Sequence, residues 1–263
     1  MEHTISPAED FNYMESLQLA GQIIMENGGE TYRAEETICR MGLGFGLTEV
    51  ESFAVPSGLF VSYRNRDGVL ETGVRRVRRQ GRNLTRVDEA NRVSRAVAAG
   101  KMKPEEALAE LRRIEKMPGL FAGIWGLPAA FLCAAGFCAL FGGLWVDLAV
   151  AGAAAAVVQA VSMLLERFHM HRLTSAIVGG FLTMVLPHLL LFLLPVHTEA
   201  VIAGAIMPLV PGLAMTNAVQ DALRGDMVSA LSHGLQALLV ACLIAGGALL
   251  GSAFLRLFPG GGF

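Results

Sequence analysis

The chain has 263 residues, a mean hydropathy of +0.50 and 53% hydrophobic residues, which is more apolar than an ordinary soluble domain. A formal net charge of −2 provides no basic excess, so we expect no nucleic-acid partner. The charges are also segregated, since the only Lys or Arg residues beyond position 117 are Arg167, Arg172, Arg224 and Arg256. The sequence therefore predicts a charged domain over residues 1–117 and an apolar domain over residues 118–263.

The charged domain has a mixed α+β pattern. The sequence first predicts helices over residues 13–25 and 31–41, separated by Asn27-Gly28-Gly29. Two strands within 48–63, broken at Pro56-Ser57-Gly58, a turn at 65–68 and a strand over 69–77 follow. A capping box from Thr85 to Asp88 then opens a helix to Ala98, and a last helix runs from Pro104 to residue 116. The amino terminus is acidic and lacks an apolar signal segment. We therefore expect this domain to lie in the cytoplasm.

The apolar domain consists of hydrophobic blocks separated by short polar gaps. Five transmembrane helices are predicted near residues 120–143, 148–165, 173–194, 200–222 and 227–252. Each block approaches the roughly 20 residues that a helix needs to cross a bilayer. Arginines in the gaps at 166–172 and 220–226 predict a cytoplasmic amino terminus and an external carboxyl terminus. The expected fold class is an α-helical polytopic protein of the cytoplasmic (inner) membrane with an amino-terminal α+β cytoplasmic domain.

One predicted span contains a helix-breaking pair. Pro211 lacks an amide donor, and Pro211-Gly212 is expected to interrupt the helix near the middle of the membrane. The amino end of a restarted half-helix carries positive potential and can bind an anion, and Thr216 and Asn217 add donors one turn later. We interpret these four residues as candidate substrate ligands. A proline kink that only packs against its neighbours is the alternative.

Several ionisable residues lie in or beside the predicted spans. Ionisable groups inside a membrane are energetically unfavourable and often serve substrate or proton movement. The candidates for substrate binding are His188, His233 and Gln236, and the candidates for proton or ion coupling are Asp147, Asp221 and Asp226. Placement at the cytoplasmic interface is the alternative for Asp221 and Asp226, and a helix cap is the alternative for Asp147.

The charged domain contains one motif that combines opposite charges. Glu30, Tyr32 and Arg33 lie within one helical turn, either as part of a functional site or as a surface ion pair. The four cysteines lack zinc-ligand spacing, and no P-loop, Rossmann glycine pattern or nucleophile elbow is present in the sequence. We therefore expect no cofactor, no metal site and no catalytic site.

Two stretches of the sequence resemble a known family. AGQIIMENGGETYRAEETICRMGLGFGL (residues 20–47) and MPLVPGLAMTNAVQDALRGDMVSAL (residues 207–231) are similar to the hallmark stretches of the threonine/serine exporter (ThrE-type) family, in its amino-terminal module, as in the YjjP-type subunit of a succinate exporter. The positions that match the family pattern are Glu30, Tyr32, Arg33, Pro211, Gly212, Thr216, Asn217, Asp221, Gly225 and Asp226. The resemblance implies a cytoplasmic domain joined to five transmembrane helices that export small carboxylate-bearing metabolites. It also implies a second small membrane subunit as a partner, because full-length members carry a second membrane module.

Three functions are compatible with these patterns. A subunit of a secondary exporter for threonine, serine or a succinate-type dicarboxylate is the leading hypothesis. A membrane-anchored enzyme such as a hydrolase would need a nucleophile, a base and a stabilising group in residues 1–117, and the sequence presents no such set. A sensor whose charged domain binds a metabolite is the third hypothesis. Polar and ionisable residues within the spans favour transport, because a simple anchor needs none.

Overall fold

The computed structural model of the chain describes residues 7–78, 81–119, 123–168, 170–191 and 197–257. The helices are α1 (Pro7–Glu26), α2 (Thr31–Gly44), α3 (Leu84–Ala98), α4 (Pro104–Glu115), α5 (Gly126–Leu140), α6 (Trp145–Arg167), α7 (Arg172–Leu191), α8 (Thr198–Ile206), α9 (Gly212–Leu223) and α10 (Met227–Leu255), and the strands are β1 (Thr48–Val55), β2 (Gly58–Arg64) and β3 (Leu70–Arg76). They form two compact units, one of residues 1–120 with 213–234 and the other of residues 121–212 with 235–263. The first unit thus contains residues 213–234 in addition to the predicted charged domain.

The first unit confirms the predicted α+β pattern. Its strands form an antiparallel sheet in the order β1-β2-β3, and the β1–β2 turn falls at Pro56-Ser57. The turn before β3 is fixed by Asn65, whose side-chain oxygen accepts the amides of Asp67 and Val69. Helix α1 stops before Gly28, which adopts a left-handed φ of +91°.

The predicted capping box at Thr85 is wrong. Helix α3 begins at Leu84, and the N-cap is Asn83, whose side chain accepts the Arg86 amide. Asparagine is among the best N-cap residues, and it precedes the helix directly. The sequence pattern from Thr85 to Asp88 therefore lies inside the first turns of the helix.

The core of the first unit is built from aliphatic side chains of the helices and of β2. Leu17 and Ile24 of α1, Ile38 of α2, Leu59 of β2 and Leu111 of α4 are fully buried in one cluster. The apolar face of each element thereby leaves water, which is the dominant stabilising contribution in a domain of this size.

The second unit has the opposite distribution of side-chain size. Its buried residues are mostly small, including Ala134, Ala151 and Ala205. Large apolar side chains such as Leu140 and Leu249 are exposed. Small residues between helices and large apolar residues outside are typical of membrane helices, whose outer faces contact lipid. The second unit is therefore that of a membrane protein.

Close helix packing in this unit depends on glycine. A Cβ atom at Gly180 of α7 would overlap the carbonyl oxygen of Ile244 in α10, and one at Gly247 would overlap that of Ile177. The backbones of α7 and α10 therefore touch, which only glycine permits.

The predicted number of five transmembrane helices is not confirmed. Among the described residues, three helical segments are long and apolar enough to cross a membrane: Gly123–Leu140, Trp145–Arg167 and Met227–Leu255. The count rises to four if Thr198–Leu209 and Gly212–Leu223, a pair bent at a short break, form one span. The remaining predicted span corresponds to a shorter apolar helix, Leu173–Leu189, and its last residues, 192–194, lie outside the described ranges.

The predicted helix break at Pro211-Gly212 is confirmed. A short 3-10 turn ends at Leu209, Val210 is extended, and α9 begins at Gly212. Pro211 cannot donate to the preceding turn, so the helical hydrogen bonds are interrupted there.

Candidate functional site

The two sequence stretches that are 160 or more residues apart in the chain meet in the first unit. The hydroxyl of Thr31, at the start of α2, donates to Asp221 Oδ1 of α9 at 2.7 Å. The other carboxylate oxygen of Asp221 lies 2.9 Å from His233 Nδ1 of α10. The side chain of Asp221 is 1% exposed and that of His233 is 13% exposed. Thr31, Asp221 and His233 thus form a buried polar cluster, which we call the Asp221 cluster.

Further carboxylates surround this cluster. Asp226 Oδ1 accepts the Ser229 amide at 3.1 Å and so caps α10, while its Oδ2 lies 3.5 Å from the Thr31 hydroxyl. Glu35 accepts the Ala54 amide at 2.7 Å. Burial raises the pKa of Glu35 above its usual value, and the negative charges of Asp226 and Asp221 raise it further, against the opposing effect of the Ala54 amide. The neighbourhood of Asp221 is therefore strongly acidic.

A second set of contacts joins α2 and the turn before it to α9 and the turn after it. The guanidinium carbon of Arg224 lies 3.3 Å from the centre of the Tyr32 ring, a cation–π geometry. The Asn217 amide donates to the Gly28 carbonyl at 3.3 Å. These contacts and the Asp221 cluster bring residues 28–35 and 217–233 into one site.

The charged motif of α2 forms an ion pair. Arg33 Nε lies 2.7 Å from Glu30 Oε2, and the pair is only partly buried. Its hydrogen bond to Glu30 raises the pKa of the Arg33 guanidinium, so this group stays charged, although partial burial opposes the shift. Glu30 is also the N-cap residue of α2, in an extended conformation and without a side-chain cap hydrogen bond.

A cavity of about 310 Å³ lies beside this ion pair in the first unit. Its lining residues are Gly28, Gly29, Glu30, Arg33, Leu84, Val87, Asp88, Asn91, Leu213, Thr216 and Asn217. Two of the predicted substrate ligands, Thr216 and Asn217, therefore line one cavity with two residues of the charged motif, Glu30 and Arg33. A volume of this size matches the smaller ligand pockets of proteins.

The other predicted substrate ligands belong to the second unit. They are Pro211, Gly212, His188 and Gln236. His188 Nδ1 lies 2.7 Å from the Met184 carbonyl oxygen, one turn earlier in α7. The position of Gly212 is open, since a Cβ atom there would meet no atom within 4 Å among the described residues. Their roles in substrate binding stay predictions.

Asp147, a predicted coupling residue, caps helices in the second unit. Its carboxylate accepts the amides of Leu144 and His197, each at 2.8 Å, and lies 2.8 Å from His197 Nδ1. The acid thus satisfies donors at the amino ends of both α6 and α8, which is the helix-cap alternative considered for it.

We expect Asp147→Ala to destabilise the second unit by about 0.5–2 kcal/mol or somewhat more, because a cap is lost and two amides lose their acceptor. Thermal unfolding of the purified protein in detergent measures the effect. Glu199→Ala is the matched control, since Glu199 is an exposed acid in the first turn of α8. Equal unfolding temperatures for the two variants would contradict the capping role.

Sequence reasoning missed several residues of this site, Asn91 of the cavity lining among them. Thr31, Glu35 and Arg224 contact or surround the predicted residues, and Asp88 lines the cavity. Thr31 and Arg224 lie inside the two stretches that resemble the exporter family, and this resemblance is the signal that could have identified them. Asp88 lies in neither stretch, and its position on α3 gives no local indication of a cavity.

Comparison with known proteins assigns the same region to one family. The sequence model of the family described as "ThrE: Putative threonine/serine exporter" matches residues 16–255. The chain is 27% identical to "Probable succinate transporter subunit YjjP" of Klebsiella aerogenes over 217 residues, which cover 80% of this chain and 81% of that protein. It is 25% identical to the protein of the same name from Escherichia coli, over 81% of this chain and 83% of the relative.

A longer relative is also similar. The "Threonine/serine exporter" of Corynebacterium glutamicum is 25% identical over 94% of this chain, but the match covers only 54% of that protein. These relatives are named as transporters or exporters and not as enzymes. No solved structure shows a significant match to the chain.

Proposed function

The chain belongs to the threonine/serine exporter family, and from this premise we propose that it is a subunit of a secondary exporter. The exporter moves a small carboxylate metabolite, threonine, serine or a succinate-type dicarboxylate, out across the cytoplasmic membrane. The charged first unit faces the cytoplasm, and the arginine distribution supports this orientation.

The Asp221 cluster is the observation that carries the proposal. A carboxylate that is 1% exposed and paired with a histidine, on a helix that follows a break in an apolar segment, is an energetically unfavourable arrangement for a passive anchor. Histidine is the side chain that most commonly carries protons in proteins. We therefore assign Asp221 and His233 to proton coupling, with Asp226 and Glu35 as neighbouring acids.

We place the substrate near the start of α9. Thr216 and Asn217 line the cavity, and Pro211-Gly212 opens the helix just before Leu213, the first α9 residue in the cavity wall. Broken helices recur at the substrate sites of secondary transporters. The first amides of a restarted helix have no hydrogen-bond acceptor within that helix and can bind a substrate. His188 and Gln236 remain candidates for a later position of the substrate along its path.

A second membrane subunit is part of the proposal. Two relatives are named as subunits, and the chain matches only 54% of the longer Corynebacterium exporter. A partner similar to the unmatched part of that exporter would complete the transport path. Transporters built from two related membrane halves are common.

The test is flux in proteoliposomes. We expect the purified chain alone to give little export of labelled threonine, serine or succinate, and co-reconstitution with the partner to restore it, because one half of a transport path does not alternate its access by itself. Vesicles that contain only the partner are the control. Strong flux from the single chain would contradict the two-subunit arrangement, and lack of flux for all three compounds with both subunits would contradict export of this substrate class.

A further inference from the structure

The cavity of the first unit combines charges of both signs with an apolar wall. Its charged lining residues are Glu30, Arg33 and Asp88. Leu84, Val87 and Leu213 supply apolar surface, and the polar side chains are those of Asn91, Thr216 and Asn217. A few polar groups that converge on a partly apolar pocket are typical of a small-molecule site.

We infer that this cavity binds a small zwitterionic α-amino acid, with the ligand carboxylate on Arg33 and the ligand ammonium group on Glu30 and Asp88. The inference rests on the proposed export function and narrows its substrate class. It assigns the first contact with the substrate to the charged unit.

Arg33 can accept a ligand carboxylate without losing its ion pair. Among the described residues, its hydrogen bonds to Glu30 and Tyr32 use Nε and Nη2. The guanidinium carries five N–H donors, so those of Nη1 remain for a ligand. Arginine binds carboxylates in a planar geometry with charge-assisted hydrogen bonds. The partial exposure of Arg33 gives a ligand access to this edge.

The two acids favour a ligand that also carries a positive charge. Glu30 and Asp88 outnumber Arg33, so the charges of the described lining residues sum to one negative charge. Glu30 forms a close ion pair with Arg33. Asp88 is less tightly paired, since its cationic partner among the described ion pairs, Arg95, lies 3.9 Å away. An ammonium group placed between the two acids would be attracted to both.

A dicarboxylate fits this charge distribution poorly. It needs a cation for each end, and among the described residues Arg33 is the single cationic residue in the cavity lining. Its second carboxylate would approach Glu30 or Asp88 and be repelled. The same cavity therefore discriminates between the two substrate classes that the relatives' names suggest.

The glycines of the cavity have a separate explanation and do not support the inference. Gly28 adopts a left-handed backbone conformation, and a Cβ atom at Gly29 would overlap the Ile24 side chain. Both are therefore required by the turn between α1 and α2. The charged side chains alone indicate the ligand.

The first experiment measures binding to the purified full-length chain by calorimetry. The ligands are L-threonine, L-serine and succinate, together with N-acetyl-L-threonine, which lacks the ammonium group, and L-threonine methyl ester, which lacks the carboxylate. We expect the two amino acids to bind and the other three ligands to bind at least about tenfold more weakly. Succinate binding as tight as that of threonine, or no measurable binding of either amino acid, would overturn the inference.

The second experiment compares two arginine variants of α2. Arg33→Gln removes the cavity cation and is expected to weaken threonine binding about ten- to hundredfold. Arg40→Gln is the matched control, since Arg40 pairs with Glu36 on the same helix and does not line the cavity. Equal affinities of the two variants would overturn the inference. The ligand panel on the unmodified chain gives an independent answer if Arg33→Gln fails to fold.

Flux measurements separate this inference from the proposed function. Tight binding of threonine to the chain without flux in the two-subunit proteoliposomes would contradict the exporter proposal and leave the cavity assignment standing. The opposite outcome is unchanged threonine flux in two variants, Arg33→Gln and the double variant Glu30→Gln, Asp88→Asn. In that case the exporter proposal would stand and the cavity assignment would be wrong.

Discussion

Replacing Asp221 with asparagine is expected to abolish accumulation driven by a pH gradient while leaving the fold intact. Asparagine has the same shape, its oxygen can accept the Thr31 hydroxyl, and its amide can donate to the Nδ1 atom of a neutral His233. The variant therefore keeps the hydrogen bonds of the Asp221 cluster but loses the negative charge. If export of each substrate molecule uses one proton, a gradient of one pH unit supports an about tenfold ratio of substrate concentrations across the membrane. In Asp221→Asn the two concentrations should become equal.

Proteoliposomes with both subunits distinguish this effect from general inactivation. Exchange of labelled for unlabelled substrate without a gradient should persist in Asp221→Asn, because exchange needs no net proton movement. Asp226→Asn is the matched control, since Asp226 caps α10 and asparagine caps a helix equally well. Unchanged accumulation in Asp221→Asn would refute the coupling role, and equal loss in both variants would mean that Asp221 is not the specific coupling residue.

Replacing Gly247 with valine is expected to destabilise the second unit strongly. A side chain at this position would overlap the backbone carbonyl of Ile177 in α7, and a carbonyl cannot rotate away as a side chain can. Inserting atoms into a well-packed interior typically lowers the free energy of unfolding by about 1–3 kcal/mol, and a backbone overlap should reach or exceed the upper end. Thermal unfolding in detergent, with the yield of folded protein, measures the change.

The neighbouring residue provides the control for this prediction. Gly246 lies on the same helix, and a Cβ atom there would meet no atom within 4 Å among the described residues. Gly246→Val has the same change in helix propensity and hydrophobicity but should unfold close to the unmodified protein. If both variants lose stability equally, the loss comes from valine in the helix and not from the contact between α7 and α10.

Much of the secondary structure could be predicted from the sequence. The strands around Pro56-Ser57, the helix stop at Gly28 and the break at Pro211 all follow from residues whose backbone preferences act locally. The start of α3 was misplaced, because Thr85 and Asn83 are both good caps and only the backbone geometry selects one of them. The number of five spans is not confirmed among the described residues, because hydropathy does not show where a helix bends or ends.

The candidate site was predicted as separate pieces. Thr216, Asn217, Asp221 and His233 could be chosen from the sequence, because polar residues stand out in an apolar segment. Glu30 and Arg33 could be chosen as an ion pair from their helical spacing. Neither pattern indicated that the two sets belong together, and Asp88 and Glu35 were absent from both.

Hydropathy and periodicity are properties of consecutive residues, so the charged α+β part and the apolar helical part of this protein could be predicted from the amino-acid order. The pairing of Thr31 with Asp221, 190 positions later, and the place of residues 213–234 in the charged unit follow from the three-dimensional packing of the chain. A buried polar side chain must find a hydrogen-bonding partner, but the folded chain decides which distant residue supplies it. Because of this requirement, Asp221 could be chosen from the sequence as a candidate site residue, but its hydrogen-bonding partners could not.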